Sequence, residues 1–224
     1  MTGPRVVGIR RPDEALAALA DGQVIAVPGD GGYQLAARHD RPDACAQLRA
    51  LASGRADDPL QVVVGRRAQA VALASVWTEE AGLLTDRMWP GPLTVIVPLR
   101  HEAGDRPGGG DPVVHITMPA PRALRALCRD GEPLVVRALR RPDGSPIIDP
   151  AEVAARFTSP GIALIVNGGV CPGAGPTVVD CTASPPAVCR VGALPESYVD
   201  AALMMGNRRR KWFRRRSGPD IHAR

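Results

Sequence analysis

The stretch Trp89-Pro90-Gly91-Pro92-Leu93-Thr94 decides how the rest of the chain is read. Two prolines and a glycine within six residues suit neither a helix nor a strand, so the stretch reads as a rigid turn. Before it, Thr78 to Met88 reads as a helix, with Thr78 at the cap position and Glu79 and Glu80 near the positive end of the helix dipole. After it, Leu93 to Pro98 is a β-rich apolar strand. A helix is therefore turned sharply into a buried strand.

The same alternation continues outward. Towards the N-terminus, Arg66 to Ser75 reads as a helix, Leu60 to Val64 as a strand, Pro42 to Leu51 as a helix and Gln23 to Val27 as a strand, preceded by a short helix from Arg11 to Ala20. Pro28-Gly29-Asp30-Gly31-Gly32-Tyr33 is a turn, because three glycines and a proline break regular structure. Towards the C-terminus, a loop from Arg100 to Pro112 leads to a strand over Pro112 to Thr117, a helix over Ala120 to Arg129 and a strand over Pro133 to Val136. Asp149-Pro150-Ala151-Glu152 starts another helix, with an aspartate cap and proline in the first turn. Strands follow at Ile162 to Val166, Thr177 to Asp180 and Ala187 to Arg190. This order predicts a twisted open α/β sheet with flanking helices. The last two strands are close enough in sequence to pair antiparallel, which makes the sheet mixed.

With 224 residues, 45% of them hydrophobic, the chain can build one sizeable core. No apolar run approaches the ~20 residues of a membrane span. Met1 to Arg11 lacks the basic-then-apolar order of a signal peptide, so a cytoplasmic location is expected. The five cysteines form no Cys-x-x-Cys pair, and no histidine stands at ligand spacing beside them. Reduced thiols and no metal site are the reading.

The net charge of +5 is unevenly placed. Of 28 basic and 23 acidic residues, the segment 207–224 holds eight and one, which leaves residues 1–206 at 20 against 22. The domain is assigned to residues 1–206 and a basic tail, expected to be disordered, to 207–224. Lys211 is the only lysine, so the body has no lysine to offer for catalysis.

Four segments in order resemble the YrdC/YciO family of threonylcarbamoyl-AMP synthase-like proteins. Val27 to Leu35 is similar to the family's Pro-Thr-Asp-Thr-x-Tyr-Gly-Leu through Pro28, Asp30, Tyr33 and Leu35, with Gly29 and Gly31 in place of both threonines. Ser53-Gly54-Arg55 with Pro59-Leu60 resembles Lys-x-Arg and Pro-Leu, with Ser53 in place of lysine. Trp89 to Thr94 matches without a change. Asn167-Gly168-Gly169, Pro176 to Asp180 and Arg190-Val191-Gly192 resemble the final Gly-Gly, Pro-Ser-Thr-Val-Val-Asp and Arg-x-Gly. The stretch Leu139 to Ile165 resembles the YciO branch rather than the synthases: the run Arg137 to Gly144 replaces their Ser-Ala-Asn and is followed by the Asp149 helix and the Gly168-Gly169 turn, and Thr117 stands where the family has the arginine of Arg-x-Pro.

The resemblance implies an adenylating nucleotidyltransferase acting on threonine, bicarbonate and ATP with Mg²⁺, in the service of tRNA modification. It implies nucleotide binding by Arg55, Thr94 and Arg190, and substrate binding by Asp30, Tyr33 and Thr177; no catalytic residue is assigned. Arg137, Arg140 or Arg141 could supply the positive charge that Ser53 and Thr117 do not, and Arg137 is placed with the nucleotide-binding residues on that ground. Loss of both threonine side chains at Gly29 and Gly31 is expected to open space at the mouth of the site. The exchanged positions keep a second reading open: a non-catalytic or repurposed member that binds nucleotide or double-stranded RNA. In the tail, Arg208, Arg209, Arg210, Lys211, Arg214, Arg215 and Arg216 surround Trp212, a composition suited to RNA phosphates and bases and also to an anionic membrane surface.

Overall fold

The computed structural model describes residues 4–10, 12–51, 60–100, 112–129, 131–157 and 161–216. In chain order these form β1 (Arg5–Gly8), α1 (Pro12–Ala20), β2 (Ile25–Pro28), β3 (Tyr33–Arg38), α2 (Pro42–Leu51), β4 (Gln61–Val63), α3 (Arg67–Leu73), α4 (Glu79–Met88), β5 (Leu93–Pro98), β6 (Val113–Thr117), α5 (Arg122–Arg129), β7 (Leu134–Ala138), α6 (Pro150–Arg156), β8 (Leu164–Asn167), β9 (Thr177–Asp180), β10 (Ala187–Arg190) and α7 (Glu196–Arg216). One ten-stranded sheet runs β1-β8-β2-β3-β7-β4-β6-β5-β9-β10. It is mixed: β1/β8, β2/β8, β4/β6 and β5/β9 are parallel, and the other neighbours are antiparallel. The expected pairing of the last two strands is present.

The two faces of the sheet are treated differently. Alternate residues of a strand point to opposite faces. On one face, Ala26, Leu35, Val135 and Ile165 pack against α2 and α6, while Val62, Val95, Ile116 and Val179 pack against α3, α4 and α7. On the other face, α1 and α5 cover Ile25, Ala36, Val63 and Leu134. The same face continues through Gln34, Ala138, Gln61, His115 and Val178, as the registers require. The helical cover stops short of these residues.

Local chemistry accounts for the boundaries. Thr78 caps α4 by accepting from the Ala81 amide at 3.1 Å. Asp149 caps α6 by accepting from the Ala151 amide at 2.8 Å, with Pro150 at the start. Three elements were not anticipated. β1 is a short edge strand of four residues, and β3 begins at Tyr33, directly after the glycine turn that hides its start. α7 covers Glu196–Arg216, so the boundary drawn at 206/207 falls inside a helix; residues 217–224 lie outside the described residues. None of the five cysteines forms a disulfide; four are buried and Cys189 is exposed. No described helix is long and apolar enough to cross a membrane.

The hexapeptide Trp89 to Thr94 is a sharp joint. The Trp89–Pro90 peptide is cis. The Gly91 amide donates to Met118 O at 2.9 Å, and the Thr177 amide to Pro92 O at 2.9 Å, tying the turn to the end of β6 and the start of β9. A Cβ at Gly91 would collide with the Met88 carbonyl oxygen. Gly91→Ala is therefore expected to cost about 1–3 kcal/mol, read as a fall in Tm of several degrees by thermal denaturation. An unchanged Tm would show that the joint can yield.

Candidate functional site

The uncovered part of the sheet face is the floor of a cavity of about 270 Å³. Gln34, Gln61, Thr117 and Ala138 form its floor, the glycine turn at 30–32 and the loop at 173–176 form its rim, and Arg140 and Arg190 stand over it. Asp30 is the only carboxylate among its described lining residues. A second cavity of about 190 Å³ shares Gln61, Ala138, Arg140 and Arg190 with the first and adds Arg137, His115 and Cys189. Together they make one groove across the strands, bordered by three arginines.

The β2–β3 turn is closed by a hydrogen bond from the Gly29 amide to Gly32 O at 2.9 Å. The expected opening at Gly29 and Gly31 is corrected here. A Cβ at Gly31 would lie 2.7 Å from the Gly175 Cα, and one at Gly29 would strike the Gln34 side chain. The space vacated by side chains is filled by main chain and by Gln34. The bare main chain at Gly31 lets the 173–176 loop approach.

Asp30 sits half-buried on this rim and accepts from the Ala120 amide at 3.3 Å. Burial pushes its carboxyl above the ordinary 3.8, opposed by that hydrogen bond and by the charge of Arg125. Tyr33 is wholly buried, yet its backbone opens β3 beside the cavity. Its hydroxyl donates to Gly169 O at 3.0 Å and accepts from the Gly168 amide at 3.1 Å, so it ties the turn to the end of β8. Burial raises this phenol, and the Gly168 hydrogen bond opposes the rise.

Of the three arginines considered as substitutes, two reach the groove. Arg141 does not. Its Nε donates to Glu152 Oε1 at 2.8 Å, its Nη2 to Glu152 Oε2, and its Nη1 to Ser145 Oγ and Pro146 O. It holds the 141–146 turn against α6. Arg137 lines the second cavity, and Arg140 lines both while donating to Gly144 O at 3.0 Å. Arg190 donates to Pro176 O at 3.0 Å and also borders both cavities.

The two threonines are used differently. Thr177 is wholly buried; its hydroxyl donates to Leu194 O at 2.6 Å and accepts from the Gly192 and Leu194 amides. All its capacity goes to the β10–α7 loop, and it is not among the groove residues. Thr94 pairs with Thr117 across β5 and β6, on the face of the groove floor. It is fully buried, and its Oγ1 has no hydrogen-bond partner among the described residues. Arg55 lies outside the described residues, as do the side chains of the basic tail. Sequence reading missed Gln61 and His115. Each is a polar interruption in an otherwise apolar strand, a signal available in Gln61-Val62-Val63 and Val114-His115-Ile116. No described group of three or more metal-ligating side chains exists.

The family model described as telomere recombination, which covers Sua5, YciO and YrdC, matches residues 17–192. The threonylcarbamoyl-AMP synthase of Bacillus subtilis is 31% identical over 193 residues, covering 85% of this chain. The chain spans 56% of that protein's length. The crystal structure of P. abyssi Sua5 complexed with L-threonine is 26% identical and superposes with a TM-score of 0.77, over 90% of this chain and 61% of that one. The fold is also that of E. coli YciO, with a TM-score of 0.75 at 22% identity, over 87% of this chain and 98% of that one.

Two outcomes are expected. A buried hydroxyl without a partner costs about 1–3 kcal/mol, so Thr94→Val raises Tm in the absence of ligand and diminishes the further rise produced by nucleotide; a lower Tm would mean the hydroxyl is satisfied. For Asp30, the folded chain holds the proton more tightly than the unfolded one, so its contribution to stability falls as pH rises from 3.8 through the raised value. Denaturation of Asp30→Asn and the parent from about pH 3 to about pH 7 should show the difference moving in the variant's favour as pH rises. A constant difference would contradict the burial effect.

Proposed function

The chain belongs to the Sua5/YciO/YrdC family, and from that premise we propose that it is a threonylcarbamoyl-AMP synthase acting in the cytoplasm. The amino group of threonine takes up bicarbonate with loss of water to give a carbamate. A carbamate oxygen then bonds to the α-phosphorus of ATP while the bond to the β-phosphate bridging oxygen breaks, releasing pyrophosphate. The threonylcarbamoyl-adenylate goes on to modify a tRNA adenosine.

The observation that carries this reading is the groove itself: an uncovered strip of sheet bordered by Arg137, Arg140 and Arg190, with one carboxylate on its rim. Charge accumulates on phosphoryl oxygens as the bond to phosphorus forms, and fixed guanidinium groups stabilise it without reorganisation. Arg140 and Arg190 are anchored through backbone carbonyls, which leaves their forks preset rather than free to roam. Mg²⁺ would arrive on the polyphosphate and needs only one or two protein carboxylates; Asp30 fits that donor role. The Thr94 hydroxyl is the buried donor still to be used. Arg55 is assigned to the same phosphates.

One observation favours a second reading. A Cβ at Gly31 would lie 2.7 Å from the Gly175 Cα, so there is no room at this turn for the threonine side chain that the family carries. A groove without that hydroxyl suits a member that holds nucleotide without adenylating an amino acid, with double-stranded RNA taken by the basic tail.

Pyrophosphate release from ATP, threonine, bicarbonate and Mg²⁺ separates the two. The synthase reading expects release that depends on threonine, with kcat/KM reduced about tenfold to a hundredfold in Arg140→Ala and in Arg190→Ala, since a hydrogen bond to a charged group is worth about 1.5–3 kcal/mol. Nucleotide binding without threonine-dependent release would support the second reading.

A further inference from the structure

Gln34 stands one residue into β3, and its side chain reaches back over the turn that precedes the strand. A Cβ at Gly29 would strike its Nε2 and lie 3.0 Å from its Cδ. The carboxamide therefore fills the space that a side chain at position 29 would take, and Gln34 borders the groove there with Asp30 and Thr117. The motif that this turn resembles has threonine at the place of Gly29 and glycine at the place of Gln34. Here the large and the small residue have changed places. Across the sheet Gln34 pairs with Ala138, whose methyl group leaves room above it in the cavity.

The side chain is not spent on the fold. Gln47 donates to Gly161 O at 3.1 Å, and Gln69 donates to Cys128 O and Gly131 O while accepting from the Gly65 and Arg66 amides. The half-buried Gln34 carboxamide has no hydrogen-bond partner among the described residues. Removing such a group from water without a partner is unfavourable, and a bound ligand with a matching polar group relieves it.

We propose that Gln34 is a specificity-determining residue for the amino-acid substrate, and that its carboxamide reads the side-chain hydroxyl. The choice of an amino acid rests on the synthase reading above. The choice of the hydroxyl rests on charge. The ionic groups of the substrates have charged counterparts in Arg140, Arg190 and Asp30. An arginine only donates and an ionised carboxylate only accepts, whereas a carboxamide, like a hydroxyl, does both. A site that hydrogen-bonds a substrate hydroxyl rejects the analogue lacking it far more strongly than an apolar pocket does. Positions 29 and 34 thus act as one polar place, served by whichever of them carries the side chain.

The test titrates L-threonine and L-valine, its isostere without the hydroxyl, into the full chain by calorimetry with α,β-methylene-ATP present. The parent should prefer threonine. Gln34→Ala should weaken threonine about tenfold and leave valine unchanged, the loss of one hydrogen bond. Gln34→Met, which keeps the length without the polar group, should lose the same preference. Gly29→Thr/Gln34→Ala should bring threonine back to within about threefold of the parent, because the two sites are in contact and their effects do not add. With the carboxamide gone, the nearest atom left to the new side chain's Cβ is Gly32 O at 3.2 Å. Affinity for the nucleotide alone should be the parent's in all three, which separates lost recognition from lost structure. An unchanged preference in Gln34→Ala and Gln34→Met would overturn the proposal, as would a double variant no better than Gln34→Ala. Threonine binding that depends on Gln34, without pyrophosphate release from the parent, would remove the synthase reading and leave this one standing. Release with binding indifferent to Gln34 would do the reverse.

Discussion

The carbonyl oxygen of Leu93 accepts two hydrogen bonds, from the Trp89 indole at 2.8 Å and from the Thr117 hydroxyl at 3.0 Å. Much of the site depends on this one atom. It fixes the angle at which the chain leaves α4, sets β5 against β6, and so brings Thr94 opposite Thr117 beneath the groove. The indole is itself held by its tilted neighbour Trp77, with ring centroids 6.1 Å apart. The residues that make the hexapeptide distinctive are thus structural, and the functional group they deliver is the last one, Thr94.

The fold was legible where local chemistry and periodicity agreed. Thr78 and Asp149 announced their helices, and the apolar runs at Val62–Val64 and Leu93–Pro98 announced buried strands. It was not legible where tertiary contacts decide. β3 begins at Tyr33 because the turn returns the chain to β2, a pairing that no property of Tyr33 discloses. The site was half legible. Asp30, Arg137 and Arg190, singled out in the sequence, border the groove, but side-chain direction is a matter of partners. Arg141 looks as available as Arg140 in sequence, yet Glu152 claims it from eleven residues away. Thr177 looks like a ligand-binding hydroxyl and is consumed by three backbone groups.

The charge distribution has a similar lesson. A near-neutral body conceals two arginine clusters, one bordering the groove and one, of Arg10, Arg66, Arg122 and Arg125, around a separate concavity. Each gathers residues remote in sequence, such as Arg140 with Arg190 and Arg10 with Arg122. A count of charges along the chain finds only the tail, because its charges are contiguous. Concentration of field in a concavity needs the sheet to bring them together.

The Gly31–Gly175 approach couples two distant turns through bare main chain. A Cβ at Gly31 would lie 2.7 Å from the Gly175 Cα, so the first turn can carry a side chain only if the 173–176 loop gives way. Gly175 is held to glycine by its own backbone, at φ +70°, and not by Gly31. The dependence runs one way: the later loop dictates what the earlier turn can present at the groove mouth.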